Sequence, residues 1–361
     1  YGPGLGRFTQ VDAGMKGRAM LAAKCSARDG GWRDSRYAYA AQDPINLMDA
    51  DGRKWTPAMG IGGGWTISSG RGIYCPTCKP DYIKPLRFIV SAQVGGVSDI
   101  LVRAGLPKGV LNLVMGRGSV VGQTMLDSSG VDAISFTGSV ETGAKVAQAC
   151  AARGAKFQLE MGGKNPLVVL DDADLKTAVE CAVNGAFFST GQRCTASSRL
   201  IVGQGIHDRF VDALVERMRS LQVGDPLDQA TQIGPVVDKN QLQQDVDYIE
   251  IGRGEGAKLA WGGERLDRAT PGFYLQPALF TDSTNQMRIN REEIFGPVAG
   301  VIRVKDYDEA LAVANDTPFG LSAGICTSSL KYATDFRRNS QAGMVMVNLP
   351  TAGVDYHLPF G

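Results

Sequence analysis

An α/β fold built on parallel strands is predicted for most of this chain, on three observations. From about residue 88, short apolar runs of strand length alternate with segments whose apolar residues recur at helical spacing. Turns such as Gly105-Leu-Pro-Lys-Gly109 and Gly224-Asp-Pro226 punctuate that alternation. Ahead of it, residues 1–82 are rich in Gly, Tyr, Arg and Asp and carry no sustained helical period.

In the first 55 residues, the short aromatic run Tyr37-Ala-Tyr-Ala40 is followed by the Asp43-Pro and Asp51-Gly turns, which fits a β-rich wall. Gly60-Ile-Gly-Gly-Gly64 and Ser68-Ser-Gly-Arg-Gly72 mark residues 56–87 as a Gly-rich linker or junction. Residues 1–82 are therefore expected to be irregular and loosely held.

Val110–Met115 reads as a buried strand. The glycines that follow, Gly116, Gly118 and Gly122, are spaced GxGxxxG with no acidic residue at the right distance, which is not a dinucleotide fingerprint. Ala133–Thr137 is the next strand, and Gly138–Gly143 turns the chain into a helix with Val140, Ala144, Ala147 and Ala151 on one face. Such a turn either offers N–H groups to an anion or simply caps its helix. Lys156–Glu160 is a further strand. Asn165–Leu170 opens a second α/β domain, and Leu175, Ala178, Val179, Ala182 and Ala186 define an amphipathic helix leading to Cys194. A strand at 199–202 and a helix using Phe210, Leu214, Met218 and Leu221 continue the pattern.

The 361 residues suffice for two or three domains. With 38 basic and 37 acidic residues, the formal charge of +1 gives no basis for binding nucleic acid or an anionic membrane. No apolar run reaches membrane-spanning length, and no signal peptide is evident. Seven irregularly spaced cysteines argue against a disulfide framework, and one isolated CxxC, Cys75 to Cys78, is too few ligands for zinc. A cytoplasmic location and no metal are the expectation.

Two residues stand out chemically. Cys194 lies between a helix and a strand among small residues, in Gly191-Gln-Arg-Cys-Thr-Ala-Ser197, where main-chain N–H groups can favour a thiolate. Glu160 ends an apolar strand against Gly162 and Gly163, a setting that desolvates a carboxylate and raises its pKa. Each alone is as well explained by structure, the cysteine as a buried apolar residue and the glutamate as a surface charge.

Phe187–Arg199, Leu159-Glu-Met-Gly-Gly-Lys-Asn-Pro166 and Glu292-Glu-Ile-Phe-Gly-Pro-Val298 together resemble the aldehyde dehydrogenase superfamily, in order and in spacing. The resemblance begins near residue 88. It implies an aldehyde-dehydrogenase-like α/β fold: a partial, Rossmann-like dinucleotide-binding parallel sheet over 88–163 and an α/β catalytic domain over 164–361. It also implies Cys194 as nucleophile, Glu160 as general base, and NAD or NADP as cofactor. Gly138, Ser139 and Thr142 would meet the cofactor pyrophosphate, and Glu293 and Phe295 its nicotinamide end. Met161 departs from the leucine or alanine usual before the paired glycines. Asn348 through His357 resemble the branch that oxidises α-ketoglutaric semialdehyde, so a small aldehyde is the implied substrate. Family members oligomerise through a C-terminal strand and arm, and the resemblance stops short of these. The family's Pro-Trp-Asn segment, source of its oxyanion asparagine, has no counterpart here. Impaired oxidation is the expectation.

Gly4-Leu-Gly-Arg-Phe-Thr9, Asp12, Tyr37–Ala40, Asp43-Pro-Ile-Asn46 and Asp51-Gly-Arg53 resemble the end of an Rhs/YD-repeat core domain, over roughly the first 53 residues. Two alternatives to an enzyme follow: an Rhs-type segment with a non-catalytic C-terminal domain, and a gene-fusion chimera without function.

Overall fold

The computed structural model describes residues 65–69 and 88–91, residues 100–353 except 102, 108 and 115, and Phe360. The Rhs-like stretch, Cys75, Cys78 and His357 lie outside the described residues. The chain divides into two compact units, one closing at Met161 and the other running from Gly162.

The first unit is built on a five-stranded sheet in the order β3-β2-β1-β4-β5, from β1 (Trp65–Ser69), β2 (Phe88–Ser91), β3 (Leu111–Leu113), β4 (Ala133–Gly138) and β5 (Lys156–Met161). β4 and β5 are parallel, as are β2 and β3. β1 runs antiparallel to both β2 and β4, so the sheet is mixed. This strand falls inside the stretch expected to be a Gly-rich linker. Its Trp-Thr-Ile-Ser-Ser sequence holds β-formers that the flanking glycines obscured.

Helices α1 (Gly118–Asp127) and α2 (Val140–Ala152) complete this unit. The buried face of α2 is Gly143, Val146 and Cys150, not the expected Val140, Ala144, Ala147 and Ala151. The reason lies in the sheet. Ile134 and Phe136 of β4 form a small core with Val131, Val146 and Cys150, and the bulkier side chains turn to meet it. Gly143 permits the close approach, because a Cβ there would overlap the Met161 sulfur.

The second unit has a seven-stranded sheet in the order β14-β13-β6-β7-β12-β11-β8. Its strands are β6 (Asn165–Val169), β7 (Ser197–Gly203), β8 (Lys258–Trp261), β11 (Ala278–Thr281), β12 (Val298–Val304), β13 (Ser322–Cys326) and β14 (Met344–Val347). All pairings are parallel except β8 with β11. A separate two-stranded pair joins β9 (Arg265–Leu266) and β10 (Tyr274–Leu275).

Helices cover both faces of the large sheet, which is why Leu167-Val-Val169 and Leu200-Ile-Val202 are apolar without alternation. Leu167, Val169, Leu200 and Val202 pack against α3 (Leu175–Ala186) and α4 (His207–Arg219). Val168, Ile201 and Ile302 face α7 (Tyr307–Asn315) and α8 (Leu330–Asn339). α4 ends at Arg219, and Leu221 is buried just beyond it. Two further helices, α5 (Lys239–Gly254) and the short α6 (Arg288–Arg291), pack on Phe280, Leu275 and Ile294. Asp174, Asp238, Asp306 and Ser329 cap α3, α5, α7 and α8 through side-chain bonds to first-turn amides.

Candidate active site

In the second unit, four residues between β5 and the start of β6 bring the distant parts of the site together. Gly163 N–H donates to Glu293 Oε1 at 3.1 Å. A Cβ at Gly162 would overlap the Glu293 carboxylate, and one at Gly163 would sit 2.7 Å from the Cys194 carbonyl oxygen. The paired glycines are therefore required by close approach, from Glu293 on one side and the cysteine loop on the other. Asn165 continues the work. Its Nδ2 donates to the carbonyls of Cys194 at 2.7 Å and Ala196 at 2.9 Å, while its Oδ1 accepts from Ser322 N–H at 3.1 Å.

Cys194 follows a sharply bent connection. After α3 the chain makes a short 3-10 turn, Phe188–Gly191, in which Ser189, Thr190 and Gly191 all have positive φ, at 55°, 57° and 65°. A Cβ on Gly191 would overlap the Gly296 carbonyl, so this turn lies directly on the loop carrying Glu293. Arg193 bonds back to Ser189 Oγ through Nε at 3.0 Å and Nη2 at 2.8 Å. Thr351 Oγ1 donates to Thr195 O at 2.7 Å and pairs with Ser197 Oγ. Cys194 is itself partly accessible, whereas Cys150, Cys181 and Cys326 are buried. A cleft beside it is lined by Gly163, Gly191, Arg193, Glu293, Phe295 and Gly296. Phe295 has φ 59° and is 37% exposed.

Two buried cations went unread in the sequence. Arg199, fully buried on β7, donates to the carbonyls of Lys164 (2.9 Å), Val313 (2.8 Å) and Ala314 (3.0 Å) and to Asn285 Oδ1 (3.0 Å). It ties β7 to α7. Lys164 is 1% exposed, and its Nζ finds no hydrogen-bond partner among the described residues. Burial, reinforced by Arg199, pulls the Lys164 ammonium down to about 7, with Glu293 and Glu292 opposing. Burial likewise raises Glu293, against the Gly163 N–H and Lys164. Their position next to the Glu-Met-Gly-Gly stretch and the cysteine loop was the available signal, but nothing in the adjoining residues marks either cation as buried.

The other predicted residues belong to the first unit. Glu160 lies on β5, where burial pushes its carboxyl up to about 7 despite a 3.1 Å bond from Gln158 Nε2. That agrees with the desolvation argued from its sequence setting. Gly138 ends β4 and Ser139 caps α2. The Ser139 hydroxyl accepts from Thr142 N–H at 3.2 Å and lies 3.0 Å from Thr142 Oγ1, so Thr142 N–H already has a partner. The amides of Val140 and Glu141 are the first-turn groups with no carbonyl in their own helix. Glu141 pairs with Lys145 at 2.6 Å, which offsets its charge at that helix end. Among the described residues, no group of His, Cys, Asp or Glu is placed to hold a metal ion, and no helix is long and apolar enough to cross a membrane.

A partly accessible cysteine thus lies just past a strained turn that packs on a carboxylate-bearing loop, shortly before the central parallel strand β7. The aldehyde dehydrogenase family profile matches residues 90–361, and the chain belongs to that family. It is 50% identical over 260 residues to alpha-ketoglutaric semialdehyde dehydrogenase of Bacillus subtilis, covering 72% of this chain and 53% of that protein. It is 43% identical over 271 residues to 2,5-dioxopentanoate dehydrogenase of Saccharolobus solfataricus, covering 74% and 56%. Among solved structures, the aldehyde dehydrogenase KauB from Pseudomonas aeruginosa matches with a TM-score of 0.71 at 41% identity, over 73% of this chain and 54% of that one. Betaine aldehyde dehydrogenase from Staphylococcus aureus, in complex with NAD+, matches with a TM-score of 0.68 at 36% identity, over 70% and 51%. The chain thus spans about half the length of the relatives it matches.

Proposed function

We propose that this chain carries the chemistry of an aldehyde dehydrogenase acting on α-ketoglutaric semialdehyde, with NAD or NADP, in a cytoplasmic setting. The observation that carries the reading is the joint hold of residues 163–165 on the Cys194 loop and on Glu293. In this reading 88–163 is a partial cofactor-binding domain and 164–361 the catalytic domain. The names of the two semialdehyde and dioxopentanoate dehydrogenases support the choice of substrate.

Cys194 adds as thiolate to the aldehyde carbon, giving a thiohemiacetal whose oxygen bears the charge. Glu293 and Phe295 would hold the nicotinamide end of the cofactor, which when bound would supply the acceptor for the hydride lost from that carbon. Each unit taken by itself carries residues suited to such a group: in the second, a carboxylate fixed by Gly163 N–H and a part-exposed Phe295; in the first, a small-residue helix start at Gly138 and Ser139 with Thr142 one turn on. The thioester left on Cys194 is cleaved by water. Glu160 takes the proton of that water, the acid is released, and the thiol is regenerated. A base near neutrality suits that step.

The test measures two activities on one preparation, with Cys194→Ser and Glu160→Gln beside it. Oxidation of α-ketoglutaric semialdehyde with NAD or NADP reports the whole cycle. Hydrolysis of an activated ester needs Cys194, Glu160 and water but no nicotinamide. Oxidation should be low, since lack of one oxyanion donor costs about 10²–10³ in rate, while ester hydrolysis should persist, be lost in Cys194→Ser and fall by about 10²–10⁴ in Glu160→Gln. Ester hydrolysis unaffected by Cys194→Ser would overturn the nucleophile assignment.

A further inference from the structure

Behind the loop that carries Glu293 and Phe295 lies a carboxyl group that no step of the proposed chemistry uses. Asp245, on α5, is 0% exposed. Its Oδ1 accepts from Gln241 Nε2 at 2.8 Å, and its Oδ2 has no hydrogen-bond partner among the described residues. An apolar side chain of this size would fill the same space at lower cost, so a buried acid needs a local reason.

The surroundings supply one. Gln241 Nε2 also donates to the Ile294 carbonyl at 3.0 Å, and Gln244 Nε2 donates to the same oxygen at 2.8 Å. One turn further along α5, Tyr248 donates its hydroxyl to Glu292 Oε2 at 2.7 Å. Asp245 itself lies so close to Gly296 that a Cβ there would overlap Oδ1. Residues 241, 244, 245 and 248 form one stripe of α5 at helical spacing. They engage positions 292, 294 and 296 of the loop. The intervening positions are 293 and 295. Glu293 bonds to Gly163 N–H, and Phe295 is partly exposed; both line the cleft.

We infer that the polar stripe Gln241, Gln244, Asp245 and Tyr248 positions Glu293 and Phe295 toward the cofactor by gripping alternate residues of their loop, with Asp245 as the central positioning residue. This rests on the reading that Glu293 and Phe295 meet the nicotinamide end. Asp245 acts through Gln241: its Oδ1 orients the Gln241 amide so that the same nitrogen reaches Ile294. It also occupies the space that Gly296 leaves, which holds Phe295 in its left-handed conformation.

Amide hydrogen exchange over residues 288–300 of the full chain tests this, with peptides from β6 and β7 as internal controls. Asp245→Ala should speed exchange at 293–297 by about tenfold or more while the controls stay unchanged. Asp245→Asn keeps an acceptor for Gln241 and the volume beside Gly296, so it should restore slow exchange to near the unmodified rate. Gln241→Ala, a second route to the same loss, should loosen the loop as Asp245→Ala does, and it decides the matter if the latter does not fold. Exchange in Asp245→Ala or Gln241→Ala equal to the unmodified chain overturns the proposal, as does Asp245→Asn loosening the loop as much as alanine. Added NAD or NADP should protect 293–297 in the unmodified chain and in Asp245→Asn, and less in Asp245→Ala. Absence of protection in the unmodified chain sinks the cofactor role, while the ligand-free comparison separately judges whether Asp245 holds the loop.

Discussion

Gly163 N–H reaches Glu293 Oε1 at 3.1 Å across 130 residues of chain, and the neighbouring Asn165 holds the Cys194 carbonyl at 2.7 Å. One main-chain amide and one side-chain amide, two residues apart, thus hold both the loop assigned to the cofactor and the loop bearing the thiol. Substitutions at this junction should affect both together.

Asn165→Ala removes the partners of the Cys194 and Ala196 carbonyls and of Ser322 N–H in one step. Each buried group left without a bond costs about 1–3 kcal/mol, so the loss should be about 3 kcal/mol or more. Thermal or urea unfolding of the two proteins gives the comparison. An unchanged midpoint would mean that water replaces all three contacts.

Gly191→Ala meets two penalties. Its φ of 65° costs an L-residue roughly 1–2 kcal/mol. The added Cβ also strikes the Gly296 carbonyl, which is backbone and yields little. The variant should be less stable by more than about 2 kcal/mol, and its Cys194 should lose any advantage in alkylation. Melting curves and timed iodoacetamide labelling check the two parts.

Among Cys150, Cys181, Cys194 and Cys326, Cys194 should be alkylated first at neutral pH. The other three are buried; burial raises the Cys150 thiol, donation of a hydrogen bond to Cys181 raises that of Cys326, and the same bond lowers Cys181, whose burial still keeps reagent from it. Peptide mass spectrometry after limited labelling ranks the four. Faster reaction at Cys150, Cys181 or Cys326 would contradict the assignment.

Glu160 gives a pH dependence in two observables. Its folded pKa is raised to about 7 from an ordinary 4.5. The native state therefore holds the proton more tightly than the unfolded chain, and Glu160 lowers stability as pH climbs from about 4.5 towards 7. Glu160→Gln should remove that slope, gaining on the unmodified chain at pH above about 7 but not near pH 4. As a base the group works when deprotonated, so ester hydrolysis should rise through about pH 7 to a plateau. In Glu160→Gln hydrolysis should be flat and lower by about 10²–10⁴.

Much of this was legible in the sequence. The alternation from about residue 88 and the runs Leu167–Val169 and Leu200–Val202 gave the parallel sheet, because strands covered on both faces have little choice of side chain. The upward shift of the Glu160 carboxyl was readable because an acid near a strand end beside paired glycines is desolvated. The exposed stripe of α2 was misjudged, since alanines mark a helix face but not which neighbour it meets. β1 was hidden by the glycines around it. Asp245, Lys164 and Arg199 were illegible for another reason. Arg199 bonds to carbonyls 35 to 115 residues away, Lys164 is buried under distant chain, and Asp245 packs on Gly296, so local pattern is blind to surroundings that only the tertiary fold delivers.

Asn165 has a consequence for the order in which the molecule is made. Its three partners stand 29, 31 and 157 residues further along the chain. A growing chain that has just produced Cys194 still lacks the Ser322 amide that fixes the asparagine's orientation. Closing so long a loop carries an entropic cost before any contact repays it, and such contacts form late. The thiol is thus present long before it is aimed. Selective alkylation of Cys194, the proposed nucleophile, should therefore be gained only once the Ser322 amide has docked on Asn165, and its timing would mark the completion of folding.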